Sequence, residues 1–203
     1  MRLSVDLNSF KSNHKKKKNQ IIYSVKNCKD YTKVENLFNF VLAEKNSFIF
    51  ESVEKGTIRS RYTIIGLNPD KIWNINKNLI IENFEGKKTS IKEKPLIFLN
   101  RLINKFNINT PKALPKMCTM LVGYFSYDII RYIENIPDNC FDGLNIPDVR
   151  LMRPKNLIIY DNFKKKIFFI ENIYFEKKIN NYFEKYHSIK ENFQKFDDYS
   201  NIK

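Results

Sequence analysis

Apolar side chains along this chain recur at two spacings, and the switches between them mark the elements. Val34, Leu37, Phe38, Val41 and Leu42 fall at i, i+3, i+4, i+7 and i+8, one apolar face of a helix that runs to Lys45-Asn46. Thr32 and Glu35 stand at its start with the spacing of a capping box. Before it, Ile21-Ile22-Tyr23 reads as a short edge strand. After it the pattern turns aromatic and β-branched. Residues 47–53 and 61–67 read as strands, Asn68-Pro69-Asp70 as a turn, and 71–76 with 78–84 as a hairpin carrying Trp73 and followed by a turn at Glu85-Gly86. Pro95 opens a second helix, where its missing N–H costs little, with Leu96, Leu99, Leu102, Ile103 and Phe106 on one face. Residues 117–125 read as a buried strand, 126–133 carry helical spacing, and 156–161 with 166–170 form another hairpin. The tail returns to helical spacing through Phe175, Ile179, Tyr182, Phe183, Tyr186, Ile189, Phe193 and Phe196, an apolar face that needs a cover.

Hairpins separated by single helices predict an α+β fold, with antiparallel sheet built from hairpins and helices packed on it, rather than a doubly wound one. The expected organisation is a basic, disordered leader over 1–19, a folded domain over 20–175, and an amphipathic helix or linker over 176–203.

Composition narrows the class. With 42% hydrophobic residues over 203 positions the chain can bury a core, so wholesale disorder is excluded. A net charge of +14 suggests either a nucleic-acid-binding module or a lysine-rich solvated surface. The excess is spread along the chain, its one dense run is His14-Lys15-Lys16-Lys17-Lys18, and no RNP motif, zinc finger or helix-turn-helix accompanies it, which favours the solvated surface. Three scattered cysteines, Cys28, Cys118 and Cys140, make neither a disulfide framework nor a zinc site. With no spanning apolar run and no secretory signal, a reducing cytoplasm is the expected compartment.

Catalytic groupings are missing. The two histidines, His14 and His187, lie far from any candidate nucleophile, and no GxSxG, HExxH, P-loop or GxGxxG occurs. Asp138 and Asp142 read as turn and cap residues.

Four segments stand out in order: Phe50-Glu51-Ser52-Val53-Glu54 with Arg61-Tyr62-Thr63-Ile64-Ile65-Gly66-Leu67-Asn68-Pro69; Val122-Gly123-Tyr124-Phe125-Ser126-Tyr127-Asp128-Ile129-Ile130-Arg131; Ile136-Pro137-Asp138 with Ile146-Pro147-Asp148; and Tyr160-Asp161-Asn162-Phe163. Together they resemble the N-terminal region of anthranilate synthase component I, one of the chorismate-utilising enzymes, across residues 44–175. Phe50 stands where that family has leucine, Ser126 where glycine is frequent, and Lys55 and Ser60 where glycines are common. A serine at 126 cannot take a positive φ as cheaply as glycine, so a different turn is expected there.

The resemblance implies the N-terminal fold of that family and a regulatory and structural role in tryptophan biosynthesis. In the family, a lyase, the C-terminal half holds the chorismate site and the Mg2+ ligands, and a glutamine amidotransferase, component II, supplies ammonia; the products are anthranilate and pyruvate. These 203 residues show none of that half. They are expected to carry no cofactor or metal and to be inactive alone, with 176–203 leading towards the catalytic part. The related aminodeoxychorismate synthase of the folate pathway is the alternative within the same class. Feedback inhibition by L-tryptophan uses the Glu-Ser pair that falls on Glu51 and Ser52. Arg61 is a further candidate for the ligand carboxylate, or an ion-pair partner of Glu51 across two strands. Gly123, Tyr124, Tyr127, Asp128 and Arg131 are expected to serve as scaffold or interface, with Asp128 and Arg131 paired three apart.

Overall fold

Eight strands and four helices form among the described residues, which are 1–51, 61–106, 108–137, 139 and 143–202 of this computed structural model. In chain order they are α1 (Leu7–Lys15), β1 (Gln20–Asn27), α2 (Thr32–Leu42), β2 (Phe48–Phe50), β3 (Tyr62–Asn76), β4 (Leu79–Phe84), β5 (Lys87–Lys92), α3 (Pro95–Lys105), β6 (Val122–Phe125), β7 (Val149–Asp161), β8 (Lys166–Ile173) and α4 (Tyr182–Ser200). The pairs β1–β8, β2–β3, β3–β4, β4–β5, β6–β7 and β7–β8 are all antiparallel, in keeping with the α+β class expected from the hairpins. The chain divides into two units, one of Met1–Pro69, Ile108–Thr119 and Lys155–Lys203, the other of Asp70–Asn107 and Met120–Pro154. These units do not follow the expected divisions after 19 and after 175.

In the first unit the strands run in the order β1-β8-β7-β3, with β2 also on β3. Helices α1, α2 and α4 close its core, in which Phe10, Val34, Leu37, Val41, Ile189, Phe193 and Phe196 meet Ile22, Ile65, Leu67, Ile158 and Phe169. Each such side chain contributes about 1.5–3 kcal/mol on burial. The tail helix thus finds its cover within this unit. Asn181 caps it, its side chain accepting from the N–H groups of Phe183 (3.0 Å) and Glu184 (3.2 Å). Beneath α4 the fully buried Glu171 accepts from Lys185 Nζ (2.5 Å) and from Asn156 Nδ2 (3.0 Å).

The basic leader, expected to be disordered, forms α1. Asp6 caps it through Ser9 N–H (2.8 Å), and Phe10 is fully buried, its ring 6.0 Å from that of Tyr182 and 6.2 Å from that of Tyr186. His14, placed by sequence in a solvated arm, is buried. Its Nε2 donates to the Lys177 carbonyl (2.9 Å), and its Nδ1 shares a hydrogen bond with the Tyr182 hydroxyl (3.0 Å). Phe10 and His14, at i and i+4, are the buried side chains of this helix, with Leu7 packed beside them, too sparse a stripe to register among its lysines and asparagines. The capping box at Thr32 and Glu35 does not form; Asp30 Oδ1 instead accepts from Thr32 N (3.1 Å) and Thr32 Oγ1 (2.7 Å).

The second unit orders its strands β6-β7-β3-β4-β5. Its core joins Trp73, Ile75, Ile80, Val149 and Leu151 to Phe98 and Leu99 of α3, and Trp73 Nε1 donates to Glu82 Oε2 (2.6 Å). Helix α3 turns Leu99 and Leu102 of its expected face inward but is rotated towards Phe98. Phe98 is buried, whereas Leu96 and Ile103 are exposed. The expected strand over 117–125 is only the four-residue β6, and 126–133 is a 3-10 turn, Tyr127–Tyr132. β5 is a strand that alternation does not reveal, because its lysine-rich residues are almost all exposed, as suits an edge.

Asn68-Pro69-Asp70, read as a turn, lies inside β3. Asn68 takes φ 51°, which asparagine tolerates, and so absorbs the irregularity that Pro69 brings to a strand. Asp70 accepts both Nε (2.8 Å) and Nη2 (2.6 Å) of the buried Arg153 on β7. The turns at Lys77 (φ 51°) and at Glu85-Gly86 (φ 49° and 86°) close the β3–β4 and β4–β5 hairpins. The last has both central residues at positive φ, the geometry that matches strand twist in a two-residue hairpin.

Candidate functional site

Glu51 follows β2, the three-residue strand that pairs Phe48 with Gly66 and Phe50 with Ile64 of β3. Gly66 makes that pairing compact, since a Cβ there would lie 1.9 Å from the Phe48 ring. The Glu51 side chain is exposed, and its Oε1 accepts a hydrogen bond from the Tyr31 hydroxyl. Tyr31 heads α2; its Oη also meets Thr63 Oγ1 at 3.1 Å, and its ring sits 5.4 Å from that of the buried Tyr160. Burial first, and then the hydrogen bond to Glu51, push the Tyr31 phenol up to about 12. Ser52 lies outside the described residues.

Arg61 does not pair with Glu51. Its Nε (3.0 Å) and Nη2 (2.7 Å) both donate to Asp161, whose carboxylate also accepts from the N–H groups of Phe163 (3.1 Å) and Lys164 (3.0 Å). Burial would raise the Asp161 carboxyl, but the Arg61 and backbone donors outweigh it and hold the group below the usual range. The guanidinium also lies over the rings of Tyr62 (4.9 Å) and Phe163 (5.5 Å). Tyr31 carried no signal in the sequence, since it belongs to no local motif, and Thr63 stood in the first motif without a visible partner. Asp161 stood in a motif without a visible partner.

In the second unit Arg131 Nε donates to Asp128 Oδ1 at 3.0 Å. Arg131 also donates to the carbonyls of Ile136 (3.3 Å) and Pro137, pinning the following loop. Tyr132 and the Lys77 N–H (3.1 Å) both donate to Asp148, and Ser126 N–H donates to the Asp148 carbonyl (2.7 Å). Burial and the Asp148 carboxylate raise the Tyr132 phenol well above its ordinary value. Gly123 faces Leu151 across β6–β7, where a Cβ would stand 1.8 Å from the Arg150 carbonyl oxygen. Tyr124 is partly exposed, and Tyr127 is 89% exposed. Phe125, Ile133, Ile136, Leu144 and Ile146 of the same unit are also exposed.

Two open cavities lie elsewhere in the first unit. One of about 480 Å³ is lined by Glu191, Gln194, Lys195, Asp198, Tyr199 and Ile202; the other, about 520 Å³, runs from Met1 to Asp6 and reaches Tyr186 and Lys190. Glu51 lines neither. Cys28 and Cys118 are buried free thiols, and burial raises both. Cys140, Asp138 and Asp142 lie outside the described residues. Among the described residues no cluster of three or more His, Cys, Asp or Glu is placed to hold a metal ion. No described helix is long and apolar enough to cross a membrane.

No family model matches the chain. Anthranilate synthase component 1 of Cereibacter sphaeroides is 33% identical over 164 residues, covering 78% of this chain and 33% of its own length. Its counterpart from Acinetobacter calcoaceticus is 37% identical over 134 residues, covering 61% of this chain and 26% of its own. The chain is homologous to part of anthranilate synthase component I. It spans about a quarter to a third of the length of the curated relatives it matches. The crystal structure of anthranilate synthase component I from Streptococcus pneumoniae shares the fold, with a TM-score of 0.53 over 78% of this chain and 33% of that one at 23% identity.

Measured against the anthranilate synthase pattern, the serine at 126 causes no strain. Its φ is −69°, so the backbone makes no demand for glycine there. The described glycines of that pattern, Gly66 and Gly123, meet instead a demand for space.

Proposed function

We propose that these residues are the regulatory and structural segment of an anthranilate synthase component I in cytoplasmic tryptophan biosynthesis, carrying part of an L-tryptophan feedback site at Glu51 and Ser52. The observation that carries this reading is the homology to anthranilate synthase component 1 over 78% of the chain. An exposed carboxylate held by a neighbouring phenol supports it, because an effector ammonium needs an anion of fixed direction. Arg61 enters as a framework group: Asp161 already neutralises it and occupies two of its nitrogens, so it tethers the start of β3 to the β7–β8 turn.

The remaining two thirds or more of the relatives' length would supply the chorismate site, the Mg2+ ligands and the formation of anthranilate and pyruvate. Glutamine amidotransferase component II would supply ammonia. The exposed side chains around Tyr127, with Phe125, Ile133 and Leu144, suit a surface that another chain or segment covers. Asp128 and Arg131 hold the turn that presents them.

Thermal denaturation of the 203-residue chain with L-tryptophan, D-tryptophan and L-phenylalanine tests the effector role. A ligand that binds only the native form raises the midpoint, by an amount set by its concentration over Kd. L-Tryptophan in the millimolar range should raise it and the other two should not. An unchanged midpoint, together with unperturbed amide resonances near Glu51, would refute the role.

A further inference from the structure

The first unit contains a line of three polar side chains that runs from the interior to solvent. Thr63 is buried on β3, Tyr31 is intermediate at the head of α2, and Glu51 is exposed beyond β2. Direction along the line follows from chemistry. An ionised carboxylate can only accept, so the single phenolic hydrogen of Tyr31 goes to Glu51 Oε1. The 3.1 Å contact between Tyr31 Oη and Thr63 Oγ1 must then be donated by Thr63. The Tyr160 ring, 5.4 Å from that of Tyr31, fixes the phenol from the side.

Such a line serves little purpose as a tether alone. An exposed glutamate gives up several rotatable bonds when it is held, and a surface hydrogen bond returns about as much as that ordering costs. Its effect is directional. Tyr31 spends its proton on one carboxylate oxygen, Thr63 polarises that phenol from behind, and the negative charge stays in a fixed place beside the chain that continues into Ser52. A carboxylate accepts at about four lone-pair sites, so the Tyr31 bond leaves capacity for an N–H donor.

We infer that Tyr31, backed by Thr63, is a positioning residue that orients the Glu51 carboxylate towards the ammonium group of an amino-acid effector, an inference that rests on the effector reading of Glu51. It concerns how the site tells an ammonium-bearing ligand from an analogue without one. An unpositioned glutamate would spend part of the binding free energy on ordering itself. A positioned one has been ordered during folding, so ligands with the ammonium gain and ligands without it do not.

The test titrates the wild-type chain, Tyr31→Phe, Thr63→Val and Glu51→Gln with L-tryptophan and with indole-3-propionate, which keeps the indole and the carboxylate but has no ammonium. Binding is read by NMR shift perturbation, and folding by the same spectra. Tyr31→Phe keeps the ring against Tyr160 and should weaken L-tryptophan about tenfold, the size of one hydrogen bond to a charged group. Thr63→Val should weaken it by a smaller factor, Glu51→Gln should remove the preference for the ammonium, and indole-3-propionate should bind all four alike. If wild type binds L-tryptophan and both hydroxyl variants bind it equally well, the positioning role is overturned while the effector reading stands. If they lose both ligands equally, the line only supports the fold and the inference is again overturned. If wild type binds neither ligand, the effector reading fails and takes the inference with it. Thr63→Val leaves Tyr31 and Glu51 in place, so the question is still decided if Tyr31→Phe does not fold.

Discussion

Alanine at Gly123 should break the β6–β7 pairing, whereas alanine at Gly66 should only strain its surroundings. Neither glycine has a positive φ, so the contrast is one of space. A Cβ at 123 would stand 1.8 Å from the Arg150 carbonyl oxygen, 2.8 Å from its carbon and 2.9 Å from Leu151 Cα, all backbone. Carbon–oxygen contacts in sheets settle at about 3.3–3.6 Å, so β6 has to withdraw by roughly 1.5 Å. Ladder bonds near 2.9 Å would then exceed about 4 Å and cease to be hydrogen bonds. Loss of two or three of them at about 1 kcal/mol each, with part of the burial of Val122, gives a cost of roughly 3–4 kcal/mol. At Gly66 the three atoms nearest the Cβ all belong to the Phe48 ring, at 1.9, 2.3 and 2.8 Å, and that ring can swing aside. Overpacking of this kind costs about 1–3 kcal/mol. The chain has one tryptophan, Trp73, which is buried in the same unit as Gly123, so urea unfolding followed by its fluorescence reads the right part of the molecule. With a slope of about 2 kcal/mol per M, Gly123→Ala should lower the midpoint by roughly 1.5–2 M. Gly66→Ala, followed by far-UV circular dichroism, should lower its midpoint by about 0.5–1.5 M. A Gly123→Ala midpoint within about 0.3 M of wild type, or a larger loss at Gly66, would refute the steric argument.

Lys185→Met leaves the fully buried Glu171 without its cation and should cost about 3–5 kcal/mol in urea unfolding, and adding Glu171→Gln should restore much of it; a single-variant loss under about 1 kcal/mol would contradict the buried-pair reading. Asp161, held below its usual carboxyl range, contributes stability that is present above its unfolded value near about 3.9 and is lost as pH falls through the folded value. Acid unfolding should therefore steepen below about pH 4, and Arg61→Met should flatten that limb; equal slopes would argue against the pair. Tyr31, raised to about 12, contributes stability that is full below its unfolded value of about 10 and is lost as pH rises towards 12. Glu51→Gln should bring its ionisation down, seen as the tyrosinate absorbance missing from a Tyr31→Phe control, and an unmoved titration would show that the bond to Glu51 does not form.

The sequence was most legible where side chains obey a period and a core takes up one face. Val34, Leu37 and Val41 of α2, the β3–β4 and β7–β8 hairpins, and Ile189, Phe193 and Phe196 of α4 all lie where their spacing predicts. Legibility failed where tertiary contacts replace periodicity. Phe10 and His14, with Leu7 beside them, dock α1, β5 is exposed along almost its whole length, and Asn68 lets β3 pass through a sequence that spells a turn. The site was half legible. Glu51 and Asp161 stood in motifs, but their partners Tyr31 and Arg61 come from distant points on the chain, and spacing cannot report a contact that only the sheet creates.

This division bears on how far homology reaches. Gly66 and Gly123 make room for a ring and a carbonyl, Asp148 gathers Tyr132 and the Lys77 N–H, Arg131 pins a loop, and Asp161 closes a turn and holds Arg61. Each of these residues lies in a segment shared with anthranilate synthase component I, and each has a complete explanation in folding. A chain that kept the fold and had lost the effector would need all of them still. Glu51 differs: its carboxylate is solvent-exposed, and the bond that orients it adds little to stability. Ligand discrimination at Glu51 and Tyr31 therefore separates a working sensor from an inherited scaffold, a distinction that further matches in the folding segments cannot make.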